Sequence, residues 1–223
     1  MFANRVISKL FLGIACMVPF VAHANLLTNE SFEAGAFVNQ GNATMVLPVG
    51  STSITGWTVI NDQLAWIDIG NPWGLTAQDG DRFLDLTAYP TGAPFGGVSQ
   101  TITTVAGQQY MLSFYLGTYT ARWGGPPVSI SASAGNASQT FTVSTTSTAS
   151  TWTPFSMPFT ATSSNTAISL AGSAGFQYIG LDNVSVESVG GSPVPEPGTY
   201  ALVIVGLMLL AAGGRRRHGC SDS

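Results

Sequence analysis

Hydrophobic and polar residues alternate in short runs through the middle of the chain. In YMLSFYLG, the apolar residues Tyr110, Leu112, Phe114 and Leu116 share one face. The same two-residue period recurs in GGVSQTITT, in QTFTV and in later runs up to Val186. Turn sequences such as Gly135-Asn136 separate the runs, and no segment between Asn25 and Gly190 keeps a helical period. This pattern predicts short antiparallel β-strands.

The number of these runs predicts the fold class. Roughly eight to eleven strands at this spacing are typical of an all-β, two-sheet antiparallel sandwich or jelly roll. We place this domain at residues 25–189, between an N-terminal signal helix and a short C-terminal hydrophobic helix. Pro154 and Pro158 bracket one run and predict that it lies at a sheet edge, because proline has no N–H for a second partner strand.

The N-terminus has the three parts of a secretory signal peptide. Arg5 and Lys9 are the positive region, residues 10–21 are apolar, and Ala22-His23-Ala24 is an A-x-A cleavage site. We expect signal peptidase to remove residues 1–24. The alternative, an uncleaved anchor helix, is less favoured because the apolar run is shorter than the roughly 20 residues of a membrane span.

The C-terminus begins with VPEP, continues with the apolar run YALVIVGLMLLAA and then contains three arginines. These parts, in this order, resemble the PEP-CTERM sorting signal of exopolysaccharide-producing Gram-negative bacteria. The resemblance implies processing by an exosortase, transient anchoring in the inner membrane by the C-terminal helix, and delivery to the cell surface or extracellular matrix. We assign residues 190–223 to the linker and this signal, whose recognition residues are Pro195, Glu196, Pro197, Arg215, Arg216 and Arg217.

Composition excludes several kinds of chemistry from the domain. Its sequence contains neither cysteine nor histidine, since Cys16, Cys220, His23 and His218 all lie in the terminal segments. Disulfides, histidine-dependent nucleophilic triads and His/Cys zinc sites are therefore not expected. Arg82 and Arg122 are its only basic residues among many acidic ones, so we expect no binding to nucleic acid.

A second resemblance spans the domain. The stretches NLLTNESFEAG, DGDRFLDLTA with GGVSQTI, and GLDNVSVES are similar to galactose-binding-like jelly rolls, which include many carbohydrate-binding modules. The resemblance implies that the first stretch lies near the last strand and that a structural calcium binds beside this junction. Its candidate oxygen ligands are Glu33 and Asp182, with Asp79 and Asp81. The alternative is that Asp182 and Asn183 cap a turn through side-chain hydrogen bonds.

Aromatic residues in loop-like sequence are candidates for binding sugars, whose apolar C–H faces stack on such rings. These residues are Trp73, Tyr119 and Trp123, and Arg122 next to them offers a hydrogen-bond donor. The alternative is that these rings only fill the ends of the sandwich. Trp57 and Trp66 lie in strand-like runs and are expected in the core.

We do not expect an enzyme, because no motif marks the pair of carboxylates that glycoside hydrolysis requires. The sequence favours an exported, non-catalytic protein that binds extracellular carbohydrate. The alternative is a structural or adhesive matrix component without a specific small ligand.

Overall fold

The computed structural model describes residues 24–72, 74–87, 93–119, 126–144, 150–175 and 178–189. All of them belong to one compact unit, His23–Ser192. Residues 1–23 and the predicted sorting signal lie outside the described residues. Within the described ranges, no helix is long and apolar enough to cross a membrane.

The described residues form eleven β-strands, numbered along the chain. Their bounds are β1 Thr44–Leu47, β2 Thr58–Ile60, β3 Leu64–Ile67, β4 Phe83–Asp85, β5 Gly97–Thr103, β6 Gln109–Thr118, β7 Val128–Ala134, β8 Ala137–Val143, β9 Thr151–Thr160, β10 Asn165–Ala174 and β11 Gly180–Ser188.

These strands form two sheets. The six-stranded sheet has the order β1-β3-β4-β11-β6-β9, and the five-stranded sheet has the order β2-β5-β10-β7-β8. Every strand pair is antiparallel. The predicted all-β, two-sheet antiparallel sandwich is therefore confirmed.

The alternating pattern of the sequence explains which side chains fill the core. In β6 the apolar residues Tyr110, Leu112, Phe114 and Leu116 are buried, whereas the residues between them are half-buried. Trp57 and Trp66 are also buried, as predicted. Their indole nitrogens donate to Asn29 O and Phe32 O, so the polar atom of each ring is paired.

Strand β9 confirms the prediction made from Pro154 and Pro158. It is the last strand of the six-stranded sheet and pairs only with β6, where Pro158 faces Met111 and Pro154 faces Tyr115. Because a proline nitrogen has no hydrogen, these positions offer no N–H donor to a further strand.

The first described stretch packs beside the last strand. Leu26 N donates to Val186 O, and Val184 N donates to Glu30 O. The Asn25 side chain donates to Val184 O and accepts from Val186 N. The predicted proximity of the first stretch to β11 is confirmed.

Arg82 contacts two other segments of the domain, residues 33–37 and residues 66–68. Its guanidinium carbon lies 5.0 Å from the centre of the Phe37 ring and 5.4 Å from that of Trp66. Its Nε lies 3.2 Å from Asp68 Oδ2, and its Nη1 donates to Glu33 O. Only a planar group with several donors can stack on the two rings and also donate to the carboxylate and the carbonyl.

We expect Arg82→Lys and Arg82→Met each to lower the free energy of unfolding by about 1–3 kcal/mol, because neither residue keeps both the planar stacking and the forked donors. Urea unfolding followed by tryptophan fluorescence measures this. Glu187→Gln is the control, since it removes an exposed charge elsewhere and should change stability little. A lysine variant as stable as the wild type would contradict this role for Arg82.

Candidate functional site

The outer face of the six-stranded sheet carries an apolar cluster that is separate from the main core. We call it the outer-face cluster. Its buried members are Ile67, Leu75, Phe83 and Tyr178, and Ala65, Ala77, Tyr119 and Trp152 are half-buried against them.

Strand register creates the place where this cluster forms. Asp85, Gly180, Gly117 and Trp152 lie directly side by side on β4, β11, β6 and β9. The two glycines leave a groove between the aspartate and the tryptophan. A Cβ on Gly180 would lie 2.9 Å from Leu75 Cδ2, and one on Gly117 would lie 2.5 Å from the Trp152 ring. Leu75 and the indole therefore fill the groove.

Leu75 belongs to residues 68–72 and 74–82, which we call the covering loop. Trp152 Nε1 donates to Thr76 O at 2.8 Å, and the Trp152 ring meets Phe83 edge-on with ring centres 5.8 Å apart. On the other side of the loop, a Cβ on Gly74 would lie 2.5 Å from the Tyr119 ring. The loop is thus in contact with two half-buried aromatic rings.

Of the four residues predicted to bind sugar, the structure locates Tyr119, in the outer-face cluster. Trp73, Arg122 and Trp123 lie outside the described residues. Gly74, which immediately follows Trp73 in the sequence, lies against Tyr119. Trp152 and Tyr178 join the same cluster, although sequence reasoning did not select them. Trp152 was missed because it begins an alternating, strand-like run.

Asp85 supplies a buried carboxylate beside the cluster. It is 5% exposed and accepts hydrogen bonds from the backbone of Thr87 and Ile179 and from the Thr87 hydroxyl. Burial raises the pKa of Asp85 to about 6, against the lowering effect of these donors. Burial, together with the nearby Asp85 and Tyr119, also raises the pKa of Tyr178.

The four residues predicted to bind calcium all lie at one end of the covering loop. Asp182 is fully buried, and its Oδ2 accepts hydrogen bonds from the amides of Gln78 and Asp79 at 2.7 and 3.1 Å. Glu33 Oε1 accepts from the amides of Asp81 and Arg82 at 2.9 and 2.8 Å. Asp79 Oδ2 accepts from the Ser31 hydroxyl.

Two of the four candidate calcium ligands already accept hydrogen bonds from backbone amides. Amide hydrogens, which carry positive partial charge, already point at Asp182 Oδ2 and Glu33 Oε1. In the described part of the chain, no three Asp, Glu, His or Cys side chains are grouped so that they could hold a metal. The contacts of Asp182 are hydrogen bonds, as in the alternative interpretation, and calcium binding stays a prediction.

Burial also dominates the ionisation of Asp182. Burial, with a smaller contribution from the charge of Glu33, raises the pKa of Asp182 to about 7, against the lowering effect of the amides of Asp79, Gln78 and Asn183. Two carboxyls with raised pKa values are a known mark of catalytic sites. Here both side chains are buried, and their oxygens accept hydrogen bonds from the protein's own amides.

We expect the domain to be less stable at pH 8 than at pH 5 in the presence of a chelator. The folded pKa values of Asp182 and Asp85 lie above the usual 3.8. The protonated forms of Asp182 and Asp85 stabilise the folded state fully below pH 3.8. This stabilisation is lost as pH rises through about 6 and 7, because over this range the folded state binds more protons than the unfolded state. Urea unfolding at both pH values measures the loss, and Asp182→Asn should reduce it.

Added calcium separates the two interpretations of this junction. A bound cation would favour the ionised carboxylates and raise the melting temperature at pH 8 more than at pH 5. A melting temperature that neither calcium nor chelator changes at pH 8 rules calcium out. Higher stability at pH 8 than at pH 5 in chelator would contradict the raised pKa values.

Solved structures similar to this chain include carbohydrate-binding modules. TmCBM61 in complex with β-1,4-galactotriose is 17% identical, with a TM-score of 0.41, and 74% of this chain and 99% of that chain are covered. The CBM22-1 xylan-binding domain of Paenibacillus barcinonensis Xyn10C is 14% identical, with a TM-score of 0.41 and coverage of 78% and 100%. A family 35 carbohydrate-binding module from Clostridium thermocellum is 10% identical, with a TM-score of 0.38 and coverage of 65% and 99%.

No curated protein matches the chain. One family model, described as "Protein of unknown function (DUF642)", matches residues 25–177. Because this match spans more than half of the sequence, the chain belongs to the DUF642 family.

Proposed function

We propose that this chain is an exported, non-catalytic protein that binds extracellular carbohydrate through the outer-face cluster. One observation carries the proposal: the covering loop holds the half-buried rings of Tyr119 and Trp152 at the same part of the six-stranded sheet. The other predicted sugar-binding residues are close in the sequence to residues of this cluster. Trp73 precedes Gly74, and Arg122 and Trp123 follow Tyr119 closely.

The chemistry of the cluster suits a sugar. Aromatic rings fixed by neighbouring contacts offer flat apolar area to the C–H face of a pyranose at little cost in conformational entropy. Trp152 is fixed by its hydrogen bond to Thr76 O and by its contact with Phe83. The phenol hydroxyl of Tyr119 adds a group that can orient sugar hydroxyls.

Charge favours a neutral glycan as the ligand. The domain sequence has nine acidic residues and two basic ones. Of the two, Arg82 is engaged by Asp68, Glu33 O and two rings, and Arg122 lies outside the described residues. Acidic polysaccharides would meet net repulsion, which neutral ones would not.

The terminal segments complete the proposed function. Signal peptidase would remove residues 1–24, and an exosortase would recognise Pro195, Glu196 and Pro197 together with the arginines Arg215, Arg216 and Arg217. The protein would be held briefly at the inner membrane by its C-terminal helix and then be released to the cell surface or matrix. The polysaccharide there would be its ligand.

A structural or adhesive role in the matrix is the second candidate. It is favoured by the five-stranded sheet, whose strands contain no charged residue and whose outer face carries mainly Ser and Thr. Such a face has no aromatic platform, so it offers bulk hydrogen bonding and no specific sugar pocket.

Titration calorimetry tests the carbohydrate proposal. The ligands are the polysaccharide secreted by the producing cells and a panel of neutral and uronate-containing oligosaccharides. We expect saturable binding of a neutral ligand that weakens about five- to thirtyfold in Trp152→Leu and in Tyr119→Ala, since a stacked ring contributes on the order of 1–2 kcal/mol. Phe155→Leu, on the inner face of β9, is the matched control.

The outcomes separate the candidates. No heat with any ligand would overturn carbohydrate binding and favour the matrix role. Equal affinity in the Trp152 and control variants would place the ligand elsewhere. Preference for uronate-containing ligands would contradict the charge argument.

Intact mass spectrometry of the protein from the cell surface tests export and sorting. We expect an N-terminus at Asn25 and a C-terminus close to Pro195–Pro197, because both terminal apolar segments should have been removed. Glu196→Gln should leave the N-terminus unchanged and retain the C-terminal segment. A surface form that ends at Ser223 would contradict the sorting proposal.

A further inference from the structure

The edge strands of the two sheets differ in how well they are protected from another strand. At the edges of the six-stranded sheet, β1 has four residues and β9 contains Pro154 and Pro158. In the five-stranded sheet, edge strand β2 has three residues, whereas β8 has seven and contains neither proline nor charge. Short strands, prolines and charges are the usual defences of an edge, and β8 has none of them.

The hairpin between β7 and β8 determines which residues of β8 face outwards in the plane of the sheet. Its turn is Gly135-Asn136, with Ala134 paired to Ala137 and Gly135 at φ 54°. Residues that flank a two-residue turn exchange hydrogen bonds, and the pattern then alternates along the strand. The backbone N–H and C=O groups of Ser138, Thr140 and Thr142 therefore point away from β7.

The side chains at these three positions are exposed, and two of them are held in place by the neighbouring strand. Thr140 Oγ1 lies 3.0 Å from Ser131 Oγ, and Thr142 Oγ1 lies 2.9 Å from Ser129 Oγ, so each hydroxyl is anchored to the neighbouring strand. The backbone of the edge is held by full pairing with β7 along its length. An added strand would meet an ordered template.

Charge indicates which partner fits this edge. Between Asp85 and Asp182 the sequence has one charged residue, Arg122, so the acidic residues of the domain lie outside this long segment. Two copies of an acidic protein repel each other over most of their surfaces, but not where β8 meets β8. The hydroxyl side chains of β8 are also self-complementary, because each hydroxyl can either donate or accept a hydrogen bond.

We propose that β8 pairs antiparallel with β8 of a second copy across a two-fold axis at Thr140. Ser138 then faces Thr142 of the other copy, and the five-stranded sheet continues across both copies. Such an interface is isologous and closes as a dimer. Strand pairing alone buries much less than the roughly 1,200–2,000 Å² of a stable interface, so the association should be weak and depend on concentration. The inference is independent of the proposed carbohydrate function.

Cysteine cross-linking in the full chain tests this register. Cys16 and Cys220 are first replaced by serine, which leaves no other cysteine in the sequence. Hydrogen-bonded antiparallel pairs have Cα atoms about 5.5 Å apart, a distance that a disulfide spans. With copper phenanthroline as oxidant and detergent present, Thr140→Cys should form a dimer several-fold faster than Thr101→Cys, an exposed control on β5 of the same sheet.

Two further variants make the test specific for the proposed pairing. Ser138→Cys should cross-link poorly to itself but well to Thr142→Cys when the two proteins are mixed. Adding Thr140→Pro to both should abolish this mixed dimer, because proline removes an outward N–H without touching the β7 pairing, as Pro154 and Pro158 do on β9. Unchanged circular dichroism and melting temperature would show that this variant is folded.

Cross-linking at equal rates at Thr140 and Thr101 would overturn the proposal, as would a mixed dimer that survives Thr140→Pro. Faster self-cross-linking at Ser138 than at Thr140 would also overturn the register. Dimers that form only through the terminal segments would show no dependence on position in β8, which contradicts pairing at this edge.

Discussion

The buried carboxylate of Asp182 is the contact on which the candidate site depends. It lies in β11 where the register with β6 shifts, and no part of it reaches solvent. An unpartnered carboxylate at such a place would be strongly unfavourable. The amides of Gln78, Asp79 and Asn183 satisfy it, and two of them belong to the covering loop. Burial of this carboxylate therefore requires the covering loop to lie across the sheet.

The position of the loop then determines the aromatic surface. Leu75 fills the groove above Gly180, and Thr76 O holds the indole of Trp152 over Gly117. At the same end of the loop as Asp182, Glu33 accepts hydrogen bonds from the amides of Asp81 and Arg82. Arg82 in turn packs against Phe37 and Trp66. The same interactions that close the fold thus prepare rigid rings at one part of the sheet, which is what recognition of a sugar requires.

The sequence predicted the sandwich well and the site only in part. Alternation at Leu112 and Phe114 revealed the strands, and Pro154 revealed an edge, because both signals are local. Resemblance to a known fold brought Glu33 and Asp182 together, but not their amide partners, since no periodicity encodes where a loop's N–H groups point. Trp152 was missed because its place depends on long-range strand order, which puts β9 beside β6 and Gly117 beneath the ring.

Amide hydrogen exchange of the covering loop tests the dependence on Asp182 most directly. We expect the amides of Gln78 and Asp79 to exchange as slowly as those of the interior strand β6, although they lie in a loop, and to exchange much faster in Asp182→Ala. In that variant Trp152 fluorescence should change as well, because Thr76 no longer holds the ring. Rapid exchange of Gln78 and Asp79 in the wild-type protein would contradict the central role of this carboxylate.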